Sequence, residues 1–218
     1  MPQPQPQGFL AAPATGKGPG LMVLHPWWGL NANMKALCGR LATEGFITFA
    51  PDLYHGKIAA TIKDAKVLSR ELDETRAKSD IADAVTFLGE RADLSGQGLG
   101  LIGFSLGAHF ALGLSVEDPD CVRTVVVFYG TRSGDYRRSK AAYLGHFAQT
   151  DEYEPASDVK SMEDALRAAG RPVTFHTYVG TGHWFFEQDR RDAYNEVAAK
   201  LAWERTVAFL RKELPLSP

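Results

Sequence analysis

The sequence is poor in cysteine and contains no long apolar run. Its two cysteines, Cys38 and Cys121, belong to no CxxC pair, so neither a disulfide framework nor a zinc or thioredoxin-type centre is indicated. Both lie among apolar residues and are expected to be small buried side chains. No stretch approaches the roughly 18 apolar residues that a membrane span requires, and we expect no membrane partner.

The charge is nearly balanced. The 24 basic and 26 acidic side chains leave a formal net charge of −2, which provides no basic face for nucleic acid. An apolar content of 44% in 218 residues is typical of a folded chain with a full core. The alternating Pro and Gln of residues 1–7 lack the basic start and apolar centre of a signal peptide, so the expected location is cytoplasmic.

Short apolar runs alternate with helical patterns after residue 20. Apolar residues at three- and four-residue spacing predict helices, and short continuous apolar runs predict strands covered on both faces. The predicted strands are Leu21–Trp28, Phe46–Ala50, Leu99–Phe104, Val122–Tyr129, Tyr143–Ala148 and Pro172–Val179; the predicted helices are Asn33–Glu44, a long polar region over about 62–91, Leu106–Val116, Asp158–Ala169 and Asp192–Glu213. This order predicts one α/β domain over residues 21–218, with a mostly parallel sheet and helices on both faces. A flexible arm over residues 1–20 would precede it.

The segment Gly103–Gly107 matches the pattern G-x-S-x-G between a predicted strand and a predicted helix. In that context the turn is tight, and the serine hydroxyl of Ser105 is raised above the carboxyl end of the sheet. The N–H of Leu106, at the positive end of the following helix, could then stabilise a developing oxyanion.

A serine nucleophile needs a base and a carboxylate, and both candidates follow predicted strands. His183 comes after a Gly-rich turn at the end of the last strand, and Asp151 comes after the preceding one. The chain order Ser105, Asp151, His183 is that of nucleophile, acid and base in α/β hydrolases. Glu152 is the competing carboxylate. Among the other histidines, His55 could border a site.

The loop after the first strand is expected to supply the second oxyanion donor. Pro26 has no N–H, so the donor is Trp27 or its neighbour. Trp28, Trp184 and Phe185 are predicted to line an apolar substrate pocket. The alternative is that these rings belong to the core.

These motifs resemble the dienelactone hydrolase family of the α/β-hydrolase superfamily. The resemblance is carried by five segments: His25–Asn31, Ala50–Tyr54, Gly103–Gly107, Thr150–Glu152 and Gly182–Phe186. It implies that Ser105, Asp151 and His183 form a catalytic triad and that the N–H groups of Trp27 and Leu106 form the oxyanion hole.

The sequence departs from the family at three positions. The name-giving enzymes have a cysteine nucleophile and a glutamate in the first loop, where this chain has Ser105 and Pro26. They also bind the substrate carboxylate with an arginine four residues after the histidine, where this chain has Glu187. A negative charge there would repel an anionic lactone, so neutral esters are expected to be the better substrates. If anionic lactones are turned over equally fast or faster, Arg70 and Arg76 are the candidate cations for the substrate carboxylate.

The resulting hypothesis is a serine hydrolase that acts on small esters or lactones without metal or cofactor. A non-catalytic interaction module on the same fold and an acyltransferase are the alternatives. The sequence leaves the oligomeric state open.

Overall fold

The computed structural model describes residues 4–92 and 98–215. Within them, seven strands form one sheet in the order β1-β3-β2-β4-β5-β6-β7. Every neighbouring pair is parallel except β1 and β3, which are antiparallel. The strands are β1 (Gly8–Ala11), β2 (Gly20–Leu24), β3 (Ile47–Pro51), β4 (Leu99–Phe104), β5 (Val122–Phe128), β6 (Ala142–Ala148) and β7 (Val173–Tyr178).

Six helices in the described residues cover both faces of this sheet. They are α1 (Ala32–Thr43), α2 (Ile62–Glu71), α3 (Glu74–Gly89), α4 (Leu106–Glu117), α5 (Ala156–Ala168) and α6 (Glu196–Glu213). The apolar sides of α1 and α6 pack with one face of the sheet, whereas those of α3, α4 and α5 pack with the other. Strands β2, β3 and β4 are buried along their whole length, as expected of strands covered on both sides. The predicted fold class is confirmed.

The expectation of a flexible arm over residues 1–20 was wrong for Gly8–Ala11. This segment pairs with β3 as an antiparallel edge strand, and Phe9 and Leu10 are half-buried against the two cores. Four residues are too few to stand out as a strand in the sequence. Met1–Gln3, at the start of the predicted arm, lie outside the described residues.

The long helical region is interrupted near its middle. Leu72 has an extended conformation with ψ 119°, which ends α2. The carboxylate of Asp73 then accepts hydrogen bonds from the N–H groups of Thr75 and Arg76 and caps α3. An aspartate in the cap position satisfies N–H groups that have no partner inside the helix, so two helices form where the apolar spacing predicted one.

The carboxyl ends of the central strands lie side by side. Phe104 on β4 pairs with Phe128 on β5, Phe128 pairs with His146 on β6, and His146 pairs with His176 on β7. Residues that directly follow these strands therefore emerge at one edge of the sheet. This is where ligands bind in open parallel sheets.

Candidate active site

Ser105 occupies a strained turn between β4 and α4. Its backbone has φ 48° and ψ −112°, in the region that side chains other than glycine rarely adopt. Close packing holds the turn in this shape: a Cβ on Gly107 would lie 2.1 Å from the carbonyl oxygen of Leu24. The start of α4 thus rests directly on the end of β2, and only glycine allows that approach.

The structure brings Ser105, His183 and Asp151 into one hydrogen-bonded chain. His183 Nε2 lies 3.1 Å from Ser105 Oγ, and His183 Nδ1 lies 2.7 Å from Asp151 Oδ2. The imidazole and carboxylate are 5% and 4% exposed, so water screens their contact weakly. Because Nδ1 faces a carboxylate, the proton belongs on Nδ1, and Nε2 can accept the serine hydroxyl proton.

Asp151, and not Glu152, contacts His183. Asp151 Oδ1 also accepts hydrogen bonds from the N–H groups of Tyr153 at 2.9 Å and Glu154 at 3.1 Å, which fix the carboxylate in the loop after β6. The side chain of Glu152 is exposed. The alternative acid therefore lies outside the hydrogen-bonded chain.

The two predicted oxyanion donors lie on segments that begin next to each other. Strand β2 ends at Leu24, which pairs with Gly103 on β4, so the loop that carries Trp27 starts beside the Ser105 turn. Leu106 is the first residue of α4. The N–H groups of Trp27 and Leu106 donate to no backbone carbonyl of a described residue.

All three predicted pocket residues, Trp28, Trp184 and Phe185, are buried core residues instead, and Trp184 is the most exposed of them at 8%. Phe185 is fully buried and packs on Tyr129 and Tyr178, and Trp28 is 1% exposed with the guanidinium of Arg190 stacked on it at 3.8 Å. The alternative that these rings belong to the core therefore holds for all three. All of them follow a strand end, and the sequence pattern cannot distinguish a ring that turns inward from one that lines a surface.

Besides Tyr129, whose ring centroid lies 4.8 Å from that of His183, the rings of Tyr153 and Trp184 pack on the imidazole. Their centroids lie 5.0 Å and 5.2 Å from that of His183. Trp27 packs on both rings and is half-buried, and so is Tyr153. These side chains form an apolar wall beside the imidazole. Tyr153 was not predicted from the sequence, although its position two residues after Asp151 was a usable signal.

His25 joins two loops below the site. Its Nδ1–H donates to the carbonyl of Pro26 at 2.8 Å, and its Nε2 accepts the N–H of Leu53 at 3.1 Å. The ring is fully buried, and burial lowers its pKa. A neutral imidazole is also the only form that can accept at Nε2. His25 thus has a structural role in holding the loop that contains Trp27.

Two other histidines, His55 and His109, have partners elsewhere. His55 pairs with Asp80 at 3.1 Å in a separate cleft of about 210 Å³, lined also by Arg76 and not by Ser105. His109 lies 2.6 Å from a guanidinium nitrogen of Arg132. The expectation that His55 borders the site was therefore wrong. No group of three or more His, Cys, Asp or Glu side chains in residues 4–92 and 98–215 is arranged to hold a metal ion.

Glu187 does not present a negative charge to this site, contrary to expectation. It is fully buried, and burial raises its pKa to about 8. Its Oε1 accepts a hydrogen bond from the hydroxyl of Tyr129 at 2.9 Å. Because the carboxyl is mostly protonated at neutral pH, the predicted repulsion of anionic substrates loses its basis.

The fold and the Ser105 turn define an α/β hydrolase, and comparison with known proteins identifies the group within that class. The model of the dienelactone hydrolase family matches residues 7–214. The chain belongs to the dienelactone hydrolase family. It is 34% identical to "Protein usf" of Aquifex pyrophilus over 95% of this chain and 94% of that protein.

Two further relatives agree with this assignment. The chain is 31% identical to a protein of Aquifex aeolicus that is provisionally named carboxymethylenebutenolidase, over 95% of this chain and 94% of the relative. A crystal structure from Klebsiella pneumoniae, provisionally named dienelactone hydrolase, superposes with a TM-score of 0.82 at 25% identity and covers 93% of this chain and 91% of its own. No helix among the described residues is long and apolar enough to cross a bilayer.

Proposed function

We propose that the protein is a serine hydrolase that cleaves small carboxylic esters or lactones through an acyl-enzyme. The observation that carries this proposal is the hydrogen-bonded chain from Ser105 through His183 to Asp151, built on a strained turn at the carboxyl edge of the sheet. Membership of the dienelactone hydrolase family supports hydrolysis of an ester or lactone bond. Nucleophile, base and carboxylate at these distances are the arrangement that acyl transfer requires.

In the first half-reaction, Ser105 Oγ attacks the carbonyl carbon while His183 Nε2 takes the hydroxyl proton. The carbonyl oxygen becomes an oxyanion and accepts hydrogen bonds from the N–H groups of Trp27 and Leu106. When the tetrahedral intermediate collapses, His183 gives its proton to the leaving alcohol, which departs and leaves Ser105 acylated. For a lactone, the alcohol remains attached to the acyl group.

In the second half-reaction, water replaces the alcohol. His183 accepts a proton from the water as the water oxygen attacks the acyl carbon, and it returns that proton to Ser105 Oγ when the acid leaves. Asp151 keeps the other imidazole proton on Nδ1 and stabilises the imidazolium that forms in each half-reaction. No redox step is involved.

The wall of Trp27, Tyr153 and Trp184 sets the expected substrate class. The half-buried rings of Trp27 and Tyr153, packed on the buried ring of Trp184, offer an apolar surface next to His183, which favours short neutral acyl or alcohol groups. Glu187, where the name-giving enzymes have an arginine, supplies no cation for a substrate carboxylate.

The test is labelling with a fluorophosphonate together with turnover of a graded panel of p-nitrophenyl esters and lactones. We expect modification of Ser105 in the wild type, saturable hydrolysis, and loss of both in Ser105→Ala. Absence of labelling and of turnover above the Ser105→Ala level would favour a non-catalytic module. If added alcohol diverts most of the acyl group into a new ester, the protein is an acyltransferase.

A further inference from the structure

Glu187 is a buried acid that the proposed reaction does not use. It is inaccessible to solvent; Oε1 is bonded to Tyr129, and Oε2 has no hydrogen-bond partner among the described residues. A buried polar atom without a partner destabilises the fold. The two nearby charges act on its pKa in opposite directions, since Asp189 raises it and Arg190 lowers it. A stabilising ion pair therefore does not explain the position.

Tyr129, the hydrogen-bond donor to Glu187, touches the imidazole of His183. The centroids of their rings are 4.8 Å apart. Tyr129 directly follows β5 and has φ 37°, an unfavourable value for a bulky residue. Its N–H continues the strand ladder by donating to the carbonyl of His146 at 2.8 Å. The backbone of Tyr129 is thus fixed, and its hydroxyl end is fixed separately by Glu187.

The same short segment supports the serine. The carbonyl of Phe128 accepts the N–H of Ser105 at 3.0 Å. On the other side of Tyr129, a Cβ on Gly130 would lie 3.1 Å from Ser105 Cα. Residues 128–130 therefore contact the backbone of the nucleophile and the ring of the base at once.

We propose that Glu187 is a positioning residue that holds His183 in line with Ser105 by fixing the ring of Tyr129. Asp151 holds the imidazole at Nδ1, but hydrogen bonds at one nitrogen do not fix the tilt of the ring, which depends on the rings packed on it. The ring of Tyr129 is the nearest of these, and because it is anchored at both ends, it opposes a tilt that would move Nε2 away from the hydroxyl. This role rests on the proposed function, and it replaces the substrate-binding role that an arginine at this position has in the name-giving enzymes.

The test compares three variants by kcat and KM on a neutral p-nitrophenyl ester. Glu187→Gln keeps an acceptor oxygen for Tyr129 and should keep kcat within about twofold. Glu187→Leu removes the acceptor, and Tyr129→Phe removes the donor. Each should lower kcat by about 10- to 100-fold, the scale of a small misplacement of a catalytic group, with KM changed by less than about twofold. The double variant should be no slower than the slower single one, because both substitutions break the same hydrogen bond.

A spectroscopic measurement separates positioning from general destabilisation. The low-field proton resonance of His183 Nδ1–H should remain sharp in the wild type and in Glu187→Gln, and broaden in Glu187→Leu and Tyr129→Phe. Glu204→Leu, at an exposed position on α6, is the control and should alter neither kcat nor the resonance.

Three results would overturn the inference. The first is unchanged kcat and resonance in Tyr129→Phe, which decides the matter even if Glu187→Leu does not fold. The second is a loss of thermal stability in both variants without loss of kcat. The third is a Glu187→Gln variant as slow as Glu187→Leu. A failure of the proposed function is distinguishable, because the wild type itself would then show no labelling of Ser105.

Discussion

The hydroxyl of Tyr129 and the carboxyl of Glu187 are joined by a buried hydrogen bond of 2.9 Å, although the two residues lie 58 positions apart in the chain. Because this hydrogen bond holds the carboxyl in the core, Glu187 does not face the substrate as a charge. It also places a titratable group in the core next to the side chains that carry the proposed chemistry. Two measurable consequences follow, one for stability and one for substrate charge.

The first prediction concerns the pH dependence of stability. The pKa of Glu187 rises from 4.5 to about 8 on burial in the folded protein, so the folded state binds a proton that the unfolded chain releases between these values. Its contribution to stability is present below about pH 4.5 and is lost as the pH rises toward 8. The side chain of Glu187→Gln does not titrate. The unfolding free energy of this variant minus that of the wild type should therefore increase by up to about 1.4 kcal/mol per pH unit in this window.

Urea denaturation of both proteins at pH 5, 6.5 and 8 measures this difference. The gap between the two unfolding free energies should widen from pH 5 to pH 8. A gap that stays constant across the whole range would mean that Glu187 is already ionised in the fold.

The second prediction concerns substrate charge at pH 7. Because Glu187 is buried and mostly protonated, its replacement by Gln should leave the ratio of kcat/KM for an anionic ester to that for a matched neutral ester within about twofold of the wild-type ratio. A pair of p-nitrophenyl esters of equal chain length, one ending in a carboxylate, measures this. A several-fold gain for the anionic ester in Glu187→Gln would restore the repulsion expected from the sequence.

The arrangement of Ser105, Asp151 and His183 could be predicted because each follows the carboxyl end of a strand. Strand ends are visible as the point where an apolar run gives way to Gly and polar residues, and parallel strands bring their carboxyl ends to one edge. The nucleophile turn adds a local pattern of glycines that the backbone itself requires. Sequence alone therefore located the three side chains that the structure joins.

The environment of Glu187 could not be predicted in the same way. Its hydrogen-bond donor is Tyr129, 58 positions away at the end of β5, and no short pattern records that pairing. Trp28 and Phe185 illustrate the same limit, since alternation along a loop does not reveal which rings turn into the core. Tyr129 itself could have been named as a candidate site residue, because it directly follows the most β-branched strand of the chain at the same edge as the candidate site.

The third prediction tests the assignment of the carboxylate. Asp151→Asn keeps the size of the side chain but removes the charge that holds the proton on His183 Nδ1, so kcat should fall on the order of 10⁴-fold, as in the protease triad. Glu152→Gln is the matched control, because Glu152 is exposed and does not contact His183. It should retain kcat within about twofold. If Glu152→Gln were the damaging change, the acid would be assigned one residue too early.

The fourth prediction concerns the contact between α4 and β2 under the nucleophile. In Gly107→Ala, the new Cβ would lie 2.1 Å from the carbonyl oxygen of Leu24 and 2.8 Å from that of His25. Both neighbours are backbone atoms, so the end of β2 and the start of α4 must separate, and we expect a loss of about 1–3 kcal/mol or more in unfolding free energy. The same movement would shift the N–H groups of Leu106 and Trp27, so kcat should fall even where the variant remains folded.

Gly39→Ala in α1 is the matched control. Nothing lies within 4 Å of its Cβ position, and alanine there should stabilise the helix by about 0.5–1 kcal/mol. Urea denaturation and ester turnover of the two variants measure these effects. If Gly107→Ala were as stable and as active as Gly39→Ala, the close packing of this turn would be contradicted.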